Sequence, residues 1–140
     1  MVKDALVVAL YFLKFRPRSV FEVEEKLKSK NVSEPEIKKT IEILKKNQLL
    51  DDEKFAKMWV RDRNLLKPTG SYLLKLELRK LGVADTDIEK ALKDQNEEEL
   101  ARKALESKHR YRNADFQKQA AFLQRRGFAM SVIYKILRNS

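Results

Sequence analysis

The chain has no cysteine, one histidine, one tryptophan, three glycines and three prolines in 140 residues. Without cysteine there is no disulfide, no thiol nucleophile and no thiolate metal site, a usage that suits a reducing cytoplasm. His109 stands among Lys108, Arg110 and Arg112 and has no second member for a zinc site or a catalytic triad. There is no glycine-rich phosphate loop, and scarce glycine and proline leave too few tight turns for an all-β fold. The longest apolar run, residues 5–13, is too short to span a bilayer. KFRPRS follows it where a signal peptide would need small residues at a cleavage site. The run therefore reads as a first helix, apolar on all sides and buried. Asp51, Asp52 and Glu53 stand just ahead of a helix, where capping and the helix dipole explain them better than metal or acid catalysis. The sequence thus predicts no enzyme, no metal, no cofactor and no membrane contact.

What the chain has in quantity is charge, 37% of residues, and enough apolar material, 43%, for a core. Turn-poor, Leu/Lys/Glu-rich composition points to helices. One phrase occurs three times: KLKSKNVSEPEIKKTI at 26–41, ELRKLGVADTDIEKAL at 77–92 and FLQRRGFAMSVIYKIL at 122–137. Leu27, Leu78 and Leu123 superimpose, as do Val32, Val83 and Phe128, then Ile37, Ile88 and Ile133, then Ile41, Leu92 and Leu137. The copies lie 51 and 45 residues apart, so one supersecondary unit was copied and its connectors drifted.

The fold class expected is all-α: three tandem three-helix, helix-turn-helix-like repeats over 1–50, 51–95 and 96–140, forming an elongated, curved molecule. Helices are expected over 4–15, 19–29 and 33–47, then 52–66, 71–81 and 85–93, then 97–111, 116–126 and 130–138. No repeat is expected to bury its apolar face alone. Ser19, Gly70 and Asp115 occupy the N-cap place of each second helix. Ser19 with Glu22, Ser33 with Glu36 and Asn96 with Glu99 have capping-box spacing. Asn31, Gly82 and Gly127 supply the left-handed residue that ends each second helix.

The net charge is +10, unevenly spread. Residues 1–50 carry 11 basic and 7 acidic side chains, residues 51–95 carry 10 and 9, and residues 96–140 carry 10 and 5. Such an excess favours a polyanionic partner through counterion release. Lys14, Arg16 and Arg18 bracket a turn fixed by Pro17. Lys26 and Lys30 share a helix face, and Lys38 shares one with Lys45. Arg61 and Arg63 offer rigid forks for carboxylate or phosphate. Trp59 reads as core beside Phe55, four residues before it, with base stacking as the alternative. Arg125 and Arg126 close a helix whose dipole favours cations there.

LLDDEKFAKMWVRDR at 49–63, with paired leucines, two acids, a Phe-Ala pair and Val-Arg-x-Arg, resembles the signature of the RecX family of recombinase regulators. The phrase at 122–137, with Arg125, Arg126, Gly127, Phe128 and Ile133, is similar to that family's C-terminal phrase. The tandem three-helix repeat is its architecture. After Gly70 the family usually has one or two basic residues, whereas here only Lys75 and Arg79 charge that helix. The N-terminal extension of many relatives has no counterpart.

The resemblance implies binding in the groove of the RecA–single-stranded-DNA filament, bridging protomers. It implies restraint of filament growth, ATP hydrolysis, strand exchange and coprotease activity, or in some members support. It also implies a cytoplasmic protein, expected to be monomeric, with weak, non-specific affinity for single-stranded DNA. The residues expected at the filament are Lys14, Arg16, Arg18, Lys26, Lys30, Lys38, Arg61, Arg63, Lys75, Arg79, Arg125 and Arg126. The alternative is a helix-turn-helix protein on duplex DNA. Against it, two of the third helices begin with acids, Glu34 with Glu36 and Asp85 with Asp87, where they would meet phosphates.

Overall fold

The computed structural model describes residues 2–138, which contain ten helices and no strand. Repeat 1 comprises α1 (Val2–Phe15), α2 (Val20–Ser29) and α3 (Glu34–Lys46). Repeat 2 comprises α4 (Asp52–Leu66), α5 (Ser71–Lys80) and α6 (Asp85–Leu92). Repeat 3 comprises α7 (Glu97–Ser107), α8 (His109–Arg112), α9 (Phe116–Arg125) and α10 (Met130–Arg138). The repeating phrase makes the turn that ends α2, α5 and α9. Asn31, Gly82 and Gly127 have φ of 62°, 76° and 92°. The next amides, of Val32, Val83 and Phe128, each donate back to the carbonyls of Leu27, Leu78 and Leu123 at 3.1 Å. This is the Schellman closure, in which an apolar residue folds back on the helix it has just left. The same closure ends α3, where Gln48 has φ 61° and Leu49 N–H donates to Leu44 at 2.8 Å, without a glycine to announce it.

Each repeat gathers a core cluster of its own. Leu27, Ile37 and Leu44 gather with Ala5 and Ala9 in repeat 1. Leu74, Leu78 and Ile88 gather with Phe55 and Ala56 in repeat 2. Leu123, Phe128 and Ile133 gather with Ala101 and Ala104 in repeat 3. The accessible surface is 9244 Å². A compact monomer of this mass exposes about 7,600 Å², so the repeats lie in a row rather than around one centre.

Polar joints couple the row, and the two joints share one plan. A helix N-terminus leaves amides without partners. At α2, Val20 N–H donates to Asp52 Oδ1 of the next repeat at 2.9 Å. Ser19 Oγ, which accepts from Glu22 N–H, donates to the Leu81 carbonyl at 2.6 Å. At α5, Ser71 N–H donates to Glu97 Oε1 at 2.9 Å. Gly70 and Tyr72 amides donate to the carbonyls of Arg126 and Gly127 at 2.7 and 3.1 Å. Val20 and Ser71 are the same repeat position, and so are Asp52 and Glu97. Burial pushes the Asp52 carboxyl up, against the opposing pull of Val20 N–H. The second joint holds more bonds. Arg126 donates to the Pro68 carbonyl at 2.7 Å. Gln95, the last residue of repeat 2, accepts from Asn64 at 2.9 Å and donates to the Thr69 carbonyl at 3.1 Å within its own repeat, and its amide also reaches Glu97 across the joint.

Several expectations need correction. The helix expected over 97–111 breaks at Lys108, which is extended (φ −112°, ψ 99°). Ser107 Oγ bonds back to the Ala104 carbonyl at 2.8 Å, and the break lets Tyr111 stack on Phe122 with centroids 4.4 Å apart. α1 is not buried all round, since Val7, Leu10, Tyr11 and Phe15 face outward. Only Ser19–Glu22 forms a full capping box. Asn96 accepts from Glu99 N–H, whereas Ser33 makes no side-chain cap bond, and Pro35 instead opens α3.

Gly70 tests the second joint cleanly, because its φ of −77° suits any residue. A Cβ there would lie 2.2 Å from the Gly127 carbonyl carbon, which is backbone and cannot rotate away. Gly70→Ala is expected to lower unfolding free energy by about 3 kcal/mol, the upper range for overpacking. Denaturant titration of the two proteins measures this.

Candidate functional site

The basic residues divide by what already occupies them. Arg18 is largely taken into repeat 1: its Nε donates to the Phe12 carbonyl at 3.3 Å and its guanidinium lies 3.9 Å over the Phe12 ring. Burial, and then the neighbouring Arg16, hold that guanidinium below its usual value. Lys26 Nζ also lies over the Phe12 ring, 5.5 Å from its centroid. Arg16 pairs with Glu22 but is 42% exposed, so its fork is held near the surface. Lys14, Lys30 and Lys38 are exposed and have no carboxylate partner among the described residues.

Arg63 is the organising cation of repeat 2. Its Nε and Nη2 grip both oxygens of Glu77 at 2.9 and 2.7 Å, while the Trp59 indole N–H donates to the same carboxylate at 2.9 Å. Burial tends to raise the Glu77 carboxyl, but the bonds from Arg63 and Trp59 outweigh it and hold it below the usual range. Trp59 packs against the repeat 2 core, 5.9 Å from Phe55, as the sequence implies. Its outer edge lines an apolar groove of about 290 Å³ with Pro17, Met58 and Leu66, rimmed by Arg16, Asp62 and Arg63. Arg61 is 67% exposed, pairs with its neighbour Asp62 at 3.3 Å, and borders a recess that also holds Asn64, Asp94 and Glu99.

Lys75 is half-buried, while Arg79 is exposed and holds both oxygens of Asp85 at 3.0 and 3.2 Å. That bond keeps the Asp85 carboxyl below its usual range. In repeat 3, Arg126 is a joint residue, bonded to Pro68 and lying 5.2 Å over the Phe122 ring. Burial, and then Arg63, lower its guanidinium. Arg125 is exposed and reaches the Tyr111 hydroxyl at 3.2 Å. The twelve candidates therefore do not converge on one cluster: Arg18, Lys26, Arg63 and Arg126 serve packing, Lys75 is half-buried, and Lys14, Arg16, Lys30, Lys38, Arg61, Arg79 and Arg125 lie outward. The sequence reading passed over Lys108, Arg110 and Arg112, and the one signal for them was the charge surplus of the last third.

The acidic trio serves three separate partners. Asp51 caps α4 through Lys54 N–H at 3.2 Å, Asp52 caps α2 across the joint, and Glu53 pairs with Lys90 at 3.0 Å. No group of three or more His, Asp or Glu among the described residues is placed to hold a metal ion. None of the described helices is long and apolar enough to cross a membrane.

Three helical repeats, joined in a row by one repeated polar contact and carrying dispersed cations, define a tandem helical-repeat protein. Comparison identifies which one. The models of the first, second and third three-helix domains of RecX match residues 5–44, 51–92 and 96–137. The regulatory protein RecX of Geobacillus thermodenitrificans (strain NG80-2) is 36% identical over 149 aligned positions, covering 97% of this chain and 54% of that protein. That of Pelodictyon phaeoclathratiforme (strain DSM 5477 / BU-1) is 35% identical, covering 96% of this chain and 87% of that one. The crystal structure of RecX from Lactobacillus salivarius superimposes with a TM-score of 0.88 at 26% identity, covering 99% of this chain and 95% of that one. A second, of a regulatory protein RecX, gives 0.85 at 27% identity, covering 99% of this chain and 72% of that one. The chain belongs to the RecX family. It spans about half the length of the Geobacillus relatives it matches.

Because the Glu77 carboxyl is held below its ordinary value, its stabilising effect is full above the unfolded-state pKa of about 4.3 and is lost as pH falls through the folded value. Glu77→Ala leaves Arg63 and the Trp59 N–H without their acceptor and is expected to cost about 1–3 kcal/mol at pH 7. Denaturation followed between pH 7 and pH 3 is expected to show that difference shrinking below pH 4.

Proposed function

We propose that this chain regulates the RecA recombinase by binding its filament on single-stranded DNA, most often restraining filament growth, ATP hydrolysis, strand exchange and coprotease activity. The observation that carries this reading is membership of the RecX family across all three repeats, with their order intact. The outward cations, with the half-buried Lys75, would meet acidic protein surface and nearby phosphates: Lys14, Arg16, Lys30 and Lys38 from repeat 1, Arg61, Lys75 and Arg79 from repeat 2, and Arg125 from repeat 3. Arg18, Lys26, Arg63 and Arg126 would act at one remove, by fixing the surface that carries them. The protein would work as a monomer in the cytoplasm. Its effect would be a population shift, needing different affinities for filament states. It would modulate an ATPase without being one. The duplex-DNA alternative is disfavoured because α3 and α6 open with Glu34, Glu36, Asp85 and Asp87, which phosphates would repel.

The test is ATP hydrolysis by the cognate recombinase, with single-stranded DNA in excess and this protein well below one copy per recombinase. Inhibition at such ratios is expected. Arg16→Ala with Arg61→Ala, which alters two exposed side chains, is expected to require about tenfold more protein, equivalent to about 1.4 kcal/mol. Unchanged hydrolysis at every ratio, with no co-sedimentation, would contradict the reading.

A further inference from the structure

The first helix leaves a regular face uncovered. Asp4, Val7, Tyr11 and Lys14 follow one another at alternating spacings of three and four residues, which places them along one stripe of α1. All four are exposed, Val7 by 61% and Tyr11 by 63%. Leu10 and Phe15, also exposed, flank the stripe on either side. The opposite face, through Ala5 and Ala9, is the one that packs into the repeat 1 core. Tyr11 and Phe15 stand edge to face with ring centroids 5.1 Å apart, so these rings are ordered before any partner meets them. Single apolar residues scattered over a surface need no account, but a continuous apolar strip with charged ends marks a contact.

The two ends of the stripe indicate what covers it. The spacing is that of a heptad, with Asp4 and Tyr11 in one seam position and Val7 and Lys14 in the other. Neither Asp4 nor Lys14 has an oppositely charged partner among the described residues. Two copies of α1 laid parallel would set Asp4 against Asp4 and Lys14 against Lys14. Laid antiparallel, they set Asp4 of each copy against Lys14 of the other, and Val7 against Tyr11, a small side chain facing a large one. A two-fold interface has to complement itself in this way, residue i meeting j while j meets i. The opposed helix dipoles favour the same orientation. A partner face of one charge sign would suit one end of the stripe and oppose the other, which favours a second copy of this chain.

We propose that α1 is a self-association surface, on which two copies of the chain pair antiparallel through Asp4, Val7, Tyr11 and Lys14. One helix face is smaller than the roughly 800 Å² per partner of a stable interface, so the pair is weak and reversible. Lys14 is also among the cations proposed to meet the filament. Pairing and filament binding therefore compete for it, and the pair is a resting form of a protein that works as a monomer.

The experiment is sedimentation equilibrium of the whole chain over a concentration series. The mass is expected to rise from monomer toward dimer, with half-association at roughly 100 μM. Asp4→Lys alone and Lys14→Asp alone each bring like charges together at both ends of the pair, and each is expected to weaken association about tenfold. Both exchanges in one chain restore opposite charges, and with them the original affinity. Tyr11→Ser, which removes the largest side chain of the stripe, is expected to weaken association more than tenfold, or about 1.4 kcal/mol. Circular dichroism reports whether each variant is folded. The charge exchanges, made at exposed positions, carry the test if Tyr11→Ser is not. A monomer at every concentration overturns the proposal, and so does association that the single exchanges leave unchanged. The measurement contains neither recombinase nor DNA, so its failure leaves the proposed function untouched.

Discussion

A helix that begins beneath another repeat must find partners for its first amides there, because water no longer reaches them. In this molecule that constraint falls on α2 and α5, and the answer is the same both times. An acid from the first turn of the following repeat takes the amide of the first helical residue, Asp52 for Val20 and Glu97 for Ser71. The turn after the following repeat's second helix supplies backbone carbonyls: Leu81 to Ser19 Oγ in one joint, Arg126 and Gly127 to amides in the other. The left-handed glycine of that turn permits the approach, since a Cβ on Gly82 would lie 2.3 Å from Phe21 and one on Gly127 2.5 Å from Leu73. One residue type thus serves two needs, ending its own helix and admitting its neighbour. With three separate cores, these polar joints fix how the row is held.

The distribution of charge follows from the same economy. Arg63 and Arg126 are drawn inward because Glu77 and the Pro68 carbonyl need donors near the repeat boundaries. Arg16, Arg61 and Arg79 keep carboxylate partners at the surface, where such pairs are worth only about 0–1 kcal/mol. Exchanging those partners for an acidic groove or a phosphate would therefore cost little. In repeat 3 most arginines have no carboxylate within 4.0 Å among the described residues. Under the proposed function, weak, replaceable contacts of this kind, spread over a long surface, would let the protein release its target.

Much of the architecture was legible in the sequence because it is local or periodic. The phrase around Leu27, Leu78 and Leu123 announced three turns, and Asn31, Gly82 and Gly127 announced their handedness. The resemblance at 49–63 led to the family. What escaped was non-local. Nothing around Asp52 says that its carboxylate caps a helix 32 residues earlier rather than its own. Arg63 looked like a contact residue because the carboxylate it grips, Glu77, lies 14 residues away on the next helix. The break at Lys108 has no proline or glycine to mark it, and without that break Arg110 and Arg112 read as an ordinary helix end. The outward apolar face of α1 escaped for the opposite reason: a helix rich in apolar residues on every side looks buried until its neighbours are seen to cover only one side.

The claim on which the rest stands is that each repeat caps the one before it. Amide hydrogen exchange at Val20 and Ser71 in the intact chain tests it most directly. First-turn amides of a free helix have no backbone acceptor and exchange quickly. The account predicts that both are protected to nearly the level of the core amides, and that Asp52→Ala releases Val20 while leaving Ser71 protected. Fast exchange at both positions in the unaltered protein would mean that the repeats are strung loosely, and would contradict the joints described here.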